Sequence, residues 1–297
     1  SGDMAGGSPT MATASCVDDA KSLLARVWAT DRIVTGAGLI LLALLVPISI
    51  GLVLDPREIG GAPAWLKPAK FALSTGIYTL TLAWVFTHLA DWPRTTRVVG
   101  RTTAAVLLLE TGIIALQAWR GTTSHFNIST PLDATLFAVM GVAIFAQTAA
   151  SVAVAIALWR HTFADRALGW ALRLGMTTTI VGALVGGLMT GPTEAQLAEA
   201  RDVGRLALAG AHTVGAPDGG PGLPVTGWST AHGDVRVPHF VGLHALQALP
   251  FLTLVAFRRG DDATRTRLTL AASAVYALVF VALLVQATRG LPLVPLG

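Results

Sequence analysis

The residue of this chain best suited to acid chemistry is Glu110, alone in the apolar run Val106-Leu-Leu-Leu-Glu-Thr-Gly-Ile-Ile-Ala-Leu-Gln117. A carboxyl group in such a run is costly to bury and marks a functional site by default. Desolvation favours its protonated form, which makes Glu110 a candidate general acid. The competing reading is structural: a neutral carboxylic acid hydrogen-bonded to Gln147 or Gln286. Gln117, seven residues on, shares the face of Glu110 and extends it toward the next connection.

Histidine supplies the second signal. His125, His212, His232, His239 and His244 fall in or beside one set of connections, against His88 and His161 in the other. Imidazole transfers protons near neutral pH and ligates metal or haem. The stretch Arg236-Val-Pro-His-Phe-Val-Gly-Leu-His-Ala-Leu-Gln-Ala-Leu-Pro250 carries His239, His244 and Gln247. Pro238 suits a first helical position, which predicts a helix from His239, and Pro250 predicts its interruption in mid-span. His239 and His244 stand ~140° apart around a helix, unlike an i, i+4 metal pair, whereas His244 and Gln247 share a face. The segment from Arg120 to Asp133 is crowded with hydrogen-bonding side chains. It ends in Thr130-Pro131, an N-cap followed by proline at the first helical position, and Asp133 then favours the positive end of the helix dipole.

The candidate catalytic residues are thus Glu110, His125, Asp133, His239 and His244, with His125, His239 and His244 also the ligands should a metal or haem bind. Asn127, Gln117 and Gln247 are candidate polar contacts. Trp119, Phe126, Trp228 and Phe240 are candidate aromatic walls for a substrate, although Trp65 and Trp119 also fit interfacial anchoring.

The elements that must hold these groups are membrane helices. With 53% hydrophobic and 13% charged residues, the 297-residue chain is too apolar for a soluble domain of its length. Seven apolar stretches match a ~30 Å hydrocarbon core: 33–54, 70–89, 98–119, 132–159, 167–189, 239–257 and 268–288. The expected fold is all-α, one seven-helix membrane domain over 31–297 behind an N-terminal segment, 1–30. Residues 1–3, ahead of Met4, read as an appended remnant, and the first span reads as its own anchor. A single cysteine, Cys16, gives neither a disulfide framework nor a cysteine metal site.

Charge sets the expected orientation. Numbering the connections alternately, thirteen of the 21 basic residues fall on the side of the N-terminus, in short turns. By the positive-inside rule that side is cytoplasmic, so the N-terminus lies inside, the C-terminus outside, and the histidine-rich connections face outward in a cell membrane. No nucleic-acid footprint remains once the net charge of +4 is accounted for in this way. The longest connection, 190–237, opens with Thr193 three residues before Gln196, a capping box heading a short amphipathic helix on the membrane surface. Its Gly- and Pro-rich remainder keeps Val214, Leu223, Val225 and Trp228, which suits a lid over a site.

Seven spans with Ser124, His125, Asp133, His239 and His244 bear a resemblance to membrane zinc hydrolases of the alkaline ceramidase and adiponectin-receptor type. That family pairs histidines at i, i+4, a spacing absent here, so none of its residue roles carries over. No nucleotide-binding loop, serine-nucleophile elbow or zincin motif is present; a retinal protein would need a Schiff-base lysine within a span, and the only lysines are Lys21, Lys67 and Lys70. The favoured expectation is a membrane enzyme acting on a lipid-soluble, isoprenoid-like small molecule by acid–base chemistry, such as proton-initiated cyclisation or isomerisation, with no cofactor required. The alternatives are a b-type haem protein exchanging electrons with quinone, a hydrolase using a divalent metal on histidine, and a proton-coupled transporter or sensor.

Overall fold

The computed structural model describes residues 21–296; the remnant expected at 1–3, Cys16 and most of the N-terminal segment lie outside them. The chain is mostly helical, 70%. Six helices are long and apolar enough to cross a membrane, seven if a bent pair counts as one. Large apolar side chains face outward along them, Val53 at 81% and Phe145 at 77% exposure, a surface suited to lipid rather than water.

Helix α1 covers residues 21–30. Asp31 then caps α2 (Arg32–Ala43), its Oδ1 accepting from the backbone N–H of Ile33 at 2.9 Å and Val34 at 3.1 Å. The first span continues as α3 (Leu45–Leu54) after a break at Leu44. Pro47 explains the break, since its ring opposes the carbonyl of residue i−4, Ala43, where α2 stops. A two-residue hairpin follows, β1 (Glu58–Ile59) with β2 (Ala62–Pro63). Gly60 and Gly61 form its turn with φ of 59° and 75°, values glycine adopts without steric cost. Helix α4 (Leu66–Phe86) starts four residues earlier than the expected span, with Pro68 accommodated in its first turn, where no backbone donor is missed.

The long helices α5 (Pro93–Arg120) and α6 (Pro131–Arg160) both open on proline, and α6 is capped by Thr130 as its sequence predicts. Next come α7 (Arg166–Val185), capped by Asp165, and a 3-10 turn, Gly186–Met189. The capping box forms in full, Thr193 with Gln196, and starts α8 (Glu194–Val203). A second small ladder pairs β3 (Thr213–Val214) with β4 (Gly233–Asp234). The chain closes with α9 (Arg236–Leu243), α10 (Ala245–Phe251), a π-helical turn (Leu252–Ala256) and α11 (Asp262–Thr288).

Two expectations for the histidine-bearing helix are corrected. It begins at Arg236, not His239, so Pro238 is its third residue, still within the first turn where no intrahelical donor is lost. The bend of 49° between α9 and the following helix falls at His244, six residues before Pro250. A tertiary contact accounts for the position. Gly182 of α7 and Gly242 of α9 pack backbone to backbone, and a methyl group added at Gly182 would lie 2.5 Å from the Gly242 Cα. Thr179, one turn before Gly182, serves the backbone at the bend: its Oγ1 accepts from Leu246 N at 3.2 Å and donates to Leu243 O at 3.4 Å. A neighbouring threonine is the usual way a broken membrane helix satisfies its freed groups.

Helices α2, α4, α5 and α6 pack with one another, while α7 collects α9, α10 and α11; α6 against α7 joins the groups. The largest apolar cluster lies toward the end with the short turns, built on Phe86, Leu89, Leu158, Leu172, Met176 and Leu246. Toward the long-connection end the core divides into smaller clusters, one on Ile113, Ile114 and Met140 and another on Val185, Met189, Val235 and Phe280. Polar side chains occupy the space between them.

Candidate functional site

His125 is held by a loop with two fixed ends. Helix α5 stops at Gly121, left-handed at φ 76°, whose N–H returns to Ala118 O at 3.0 Å while that of Thr122 returns to Gln117 O. The start of α6 is clamped to the end of α5 through Asp133. Its Oδ1 accepts from Arg120 Nη1 at 2.6 Å and Gln117 Nε2 at 2.8 Å, and its Oδ2 accepts from Thr130 Oγ1 at 2.6 Å. Arg120 Nη1 also donates to Gln117 Oε1. Asn127 pins the loop interior, donating to Thr122 Oγ1 at 2.9 Å and accepting from Ser129 Oγ at 2.7 Å. Phe126, next to His125, sits at φ 63°, a strained backbone for an aromatic residue. Ring contacts with His125 and Phe137, and the bond from Ala209 N to Phe126 O at 2.8 Å, hold it there.

In this frame His125 Nδ1 lies 3.1 Å from Lys67 Nζ and 3.1 Å from Ser124 Oγ. A lysine ammonium only donates, so Nδ1 accepts and the ring proton belongs on Nε2. Burial, with the positive field of Lys67 and the neighbouring His239, holds this imidazole well below the usual histidine range. It is therefore neutral near pH 7. His239 has the complementary tautomer: its Nδ1 lies 2.7 Å from the carbonyl of Gly182, which can only accept, leaving Nε2 with a free lone pair. The close approach of α7 and α9 makes that bond, since His239 lies against Gly186 where any larger residue would collide. His125 and His239 are near enough to act on each other's charge, as are His239 and His244.

Glu110 lies inside the helix bundle at 1% exposure, and neither carboxyl oxygen has a hydrogen-bond partner among the described residues. The structural partners envisaged for it do not bond it: Gln147 Nε2 donates to Tyr78 OH at 3.4 Å while its buried Oε1 is itself unpartnered, and Gln286 Nε2 donates to Pro292 O at 2.6 Å. Lys67 is the one charged group whose field it senses appreciably. Gln247 likewise has both side-chain polar atoms buried without a close hydrogen-bond partner, the nearest polar neighbour being His244 one turn before it. Such orphans in a native interior call for a ligand, a water or a chemical role.

The candidate residues therefore divide into three groups. Glu110, His125, His239 and His244 belong to one chain of electrostatic neighbours, linked through Lys67. Asp133, Gln117 and Asn127 form the clamp that positions the loop, and the Asp133 carboxylate is saturated by donors. Of the aromatic candidates, Trp228, Phe240 and His244 make a column, with centroids 5.5 Å and 4.2 Å apart in turn, and Phe126 sits against His125. Trp119 points away, 67% exposed. Among the described residues no three His, Cys, Asp or Glu side chains gather closely enough to hold a metal ion, so the hydrolase expectation lacks a ligand set.

Lys67 is the residue that sequence reasoning missed as part of the site. Its signal was its position: with Lys70 it puts two cations among the first five residues of a helix, at the end where the dipole favours anions. Lys70 Nζ donates to the carbonyls of Val225 at 3.3 Å and Thr226 at 3.2 Å, tying the 190–237 connection to α4. Comparison of the chain with family models, with curated proteins and with solved structures finds no match.

Proposed function

We propose that this protein is a multi-pass cell-membrane enzyme of seven spans, its N-terminus cytoplasmic and its histidine-rich end outside, that converts a lipophilic small molecule by acid–base chemistry. The observation that carries the proposal is Glu110: a carboxyl group buried in an apolar bundle with both oxygens unpartnered, below the Lys67–His125 pair. As an acid it adds its proton to an alkene carbon of an isoprenoid-like chain. The resulting cation closes a ring or shifts its double bond inside a space with little water, and loss of a proton from a neighbouring carbon to the Glu110 carboxylate regenerates both alkene and acid. His125 and His239, with complementary tautomers, are suited to passing protons between this interior and the outer solution. The 190–237 connection, fastened through Lys70, serves as a lid.

The test compares neutral-lipid extracts, by chromatography and mass spectrometry, from cells producing the wild type, Glu110→Gln or neither. An isomeric product of unchanged mass, present with the wild type and missing with Glu110→Gln, is the expected result. Indistinguishable extracts, or a strong violet absorbance band from haem in the purified protein, would overturn it.

A further inference from the structure

The chain of neighbours around Glu110 ends, toward the long-connection side, in an excess of positive charge. Lys67 and Lys70 are the second and fifth residues of α4, and Arg236 begins α9 close enough for its field to reach both. Arg236 is neutralised by Asp234, in a forked pair of 3.0 Å and 2.6 Å, and also donates to Gly227 O at 2.5 Å. Asp218 is taken by the backbone N–H of Thr213 at 2.9 Å and by His212 Nδ1 at 3.0 Å. Among the described residues no carboxylate lies within ion-pair distance of either lysine. Lys67 meets an imidazole and Lys70 two carbonyls. Trp65, at the N-cap of α4, contributes no capping side chain, so the positive end of the helix dipole adds to the two ammonium groups instead of being offset by an acid. Two half-buried lysines gain nothing from adjacency unless an anion joins them.

We infer that Lys67 and Lys70, with the edge of Arg236, bind the anionic headgroup of an amphiphile, a phosphate or diphosphate ester, whose apolar chain extends along α4 and α5 toward Glu110. The inference rests on the proposed acid–base reading and gives its substrate class. The headgroup completes the charge balance at the start of α4 while its tail reaches the buried acid. Proton-initiated chemistry at a distant alkene leaves the phosphate ester intact, so the anion serves as an anchor and not as a leaving group. Val225, at φ 65° and 69% exposed, offers its carbonyl to Lys70 from a strained backbone, so a headgroup that takes over Lys70 releases that contact.

The measurement is thermal stability in a neutral maltoside detergent, titrated with dodecyl phosphate, dodecanol or inorganic phosphate. Dodecyl phosphate should stabilise at a concentration about tenfold below the other two. Lys70→Gln should raise the concentration needed about tenfold, Lys70→Arg should retain it, and Arg160→Gln, at the opposite end of the bundle, should not change it. Equal effects of dodecanol and dodecyl phosphate would overturn the anion site. Stabilisation by inorganic phosphate alone as great as by dodecyl phosphate would overturn the lipid assignment. Binding is read without turnover, so its failure leaves the acid role of Glu110 standing, while binding by an active Glu110→Gln protein would remove the acid role and leave the headgroup site.

Discussion

The two ends of the bundle handle polar groups in opposite ways. At the short-turn end the charged groups drawn into the bundle are paired or packed. Arg173 donates to Leu158 O at 3.0 Å and His161 O at 2.7 Å and stacks over Trp159, Phe163 and Trp170, and Arg265 reaches the N-capping Asp165 at 2.8 Å. The exceptions are single atoms, His88 Nε2, Thr103 Oγ1 and Arg265 Nε. From the middle of the bundle toward the long connections, both oxygens of Glu110, both amide atoms of Gln247 and Gln147 Oε1 lack close hydrogen-bond partners, and Lys67 and Lys70 meet an imidazole and carbonyls in place of carboxylates. A fold that packs its buried charges at one end has the means to do so at the other, and the unsatisfied groups there mark where a ligand or a reaction completes the structure.

The broadest way to break this comparison is to put both ends on one side of the membrane. In a protein lacking its native cysteine, Gly220→Cys should react with an impermeant thiol reagent applied to intact cells, and Ala263→Cys, exposed at the start of α11, should react only after permeabilisation. The difference is all or none. Labelling of Ala263→Cys in intact cells would invert the orientation and move the Glu110 chain to the cytoplasmic side.

Next in size is the effect on turnover. Glu110→Gln removes the transferable proton and should lower product formation by a factor of about 10² to 10⁴, with little change in thermal stability. Glu110→Leu separates the two ends more sharply. Because the carboxyl has no partner to strand, leucine should stabilise the protein by about 1–3 kcal/mol while abolishing activity. Destabilisation by leucine would show that Glu110 is a satisfied structural contact, and the contrast between the ends would fail there.

Asp133 should behave in the reverse manner. Removing a carboxylate that is 3% exposed leaves Arg120, Gln117 and Thr130 without their acceptor, so Asp133→Ala should cost about 3–5 kcal/mol by thermal or denaturant unfolding. Glu110, in the interior of α5, and Asp133, in the first turn of α6, are both buried acids, yet the first is expected to destabilise and the second to stabilise by its presence. Equal signs for Asp133→Ala and Glu110→Leu would remove the distinction between clamp and reactive group.

Local signals were legible in the sequence wherever the cause is local. The Thr193–Gln196 capping box, the Thr130 cap and the apolar spans follow from residues a few positions apart. Glu110 stood out for the same reason, as one charge in an apolar run. What could not be read depends on contacts between distant segments. The bend at His244 is set by Gly182 meeting Gly242, and Pro250, the local candidate, does not mark it. That Glu110 lacks a partner depends on where distant amides point: Gln147 and Gln286 turn their nitrogens to Tyr78 OH and the Pro292 carbonyl, and Gln147 Oε1 stays as unpartnered as the acid. Lys67 was hidden by the earlier start of α4, which turns a headgroup-level lysine into a neighbour of His125.

A smaller effect is expected from pH. His212 lies outside the spans and is pushed down to about 4 by burial and by Arg236, against the opposing pull of Asp218 and Asp234. The folded state thus binds fewer protons than the unfolded chain between about pH 6.5 and 4, so stability present above pH 6.5 is lost as pH falls through that window. The loss attributable to His212 is at most about 3 kcal/mol. His125 falls in the same direction, so the informative quantity is the difference between the wild type and His212→Gln. The variant should show the shallower decline, and identical slopes would mean that His212 ionises freely in the folded lid.

The smallest effect concerns the 190–237 connection itself. Val225 is β-branched, left-handed at φ 65° and 69% exposed, so little apolar burial offsets its backbone strain. Glycine adopts the same conformation without a Cβ clash, although it gains chain entropy on unfolding. Relief of about 1–3 kcal/mol of strain outweighs about 0.4–1 kcal/mol from that entropy, so Val225→Gly should stabilise by about 1 kcal/mol, measured as a rise in Tm. The same substitution bears on the comparison of the two ends. If the strained carbonyl is held toward Lys70 only until a headgroup replaces it, relaxing Val225 should favour the unliganded lid and weaken dodecyl phosphate binding even as Tm rises. A variant that gains stability and binds dodecyl phosphate more tightly would show that Val225 resists the lid geometry that binding needs, and would separate the strain from the lysine site.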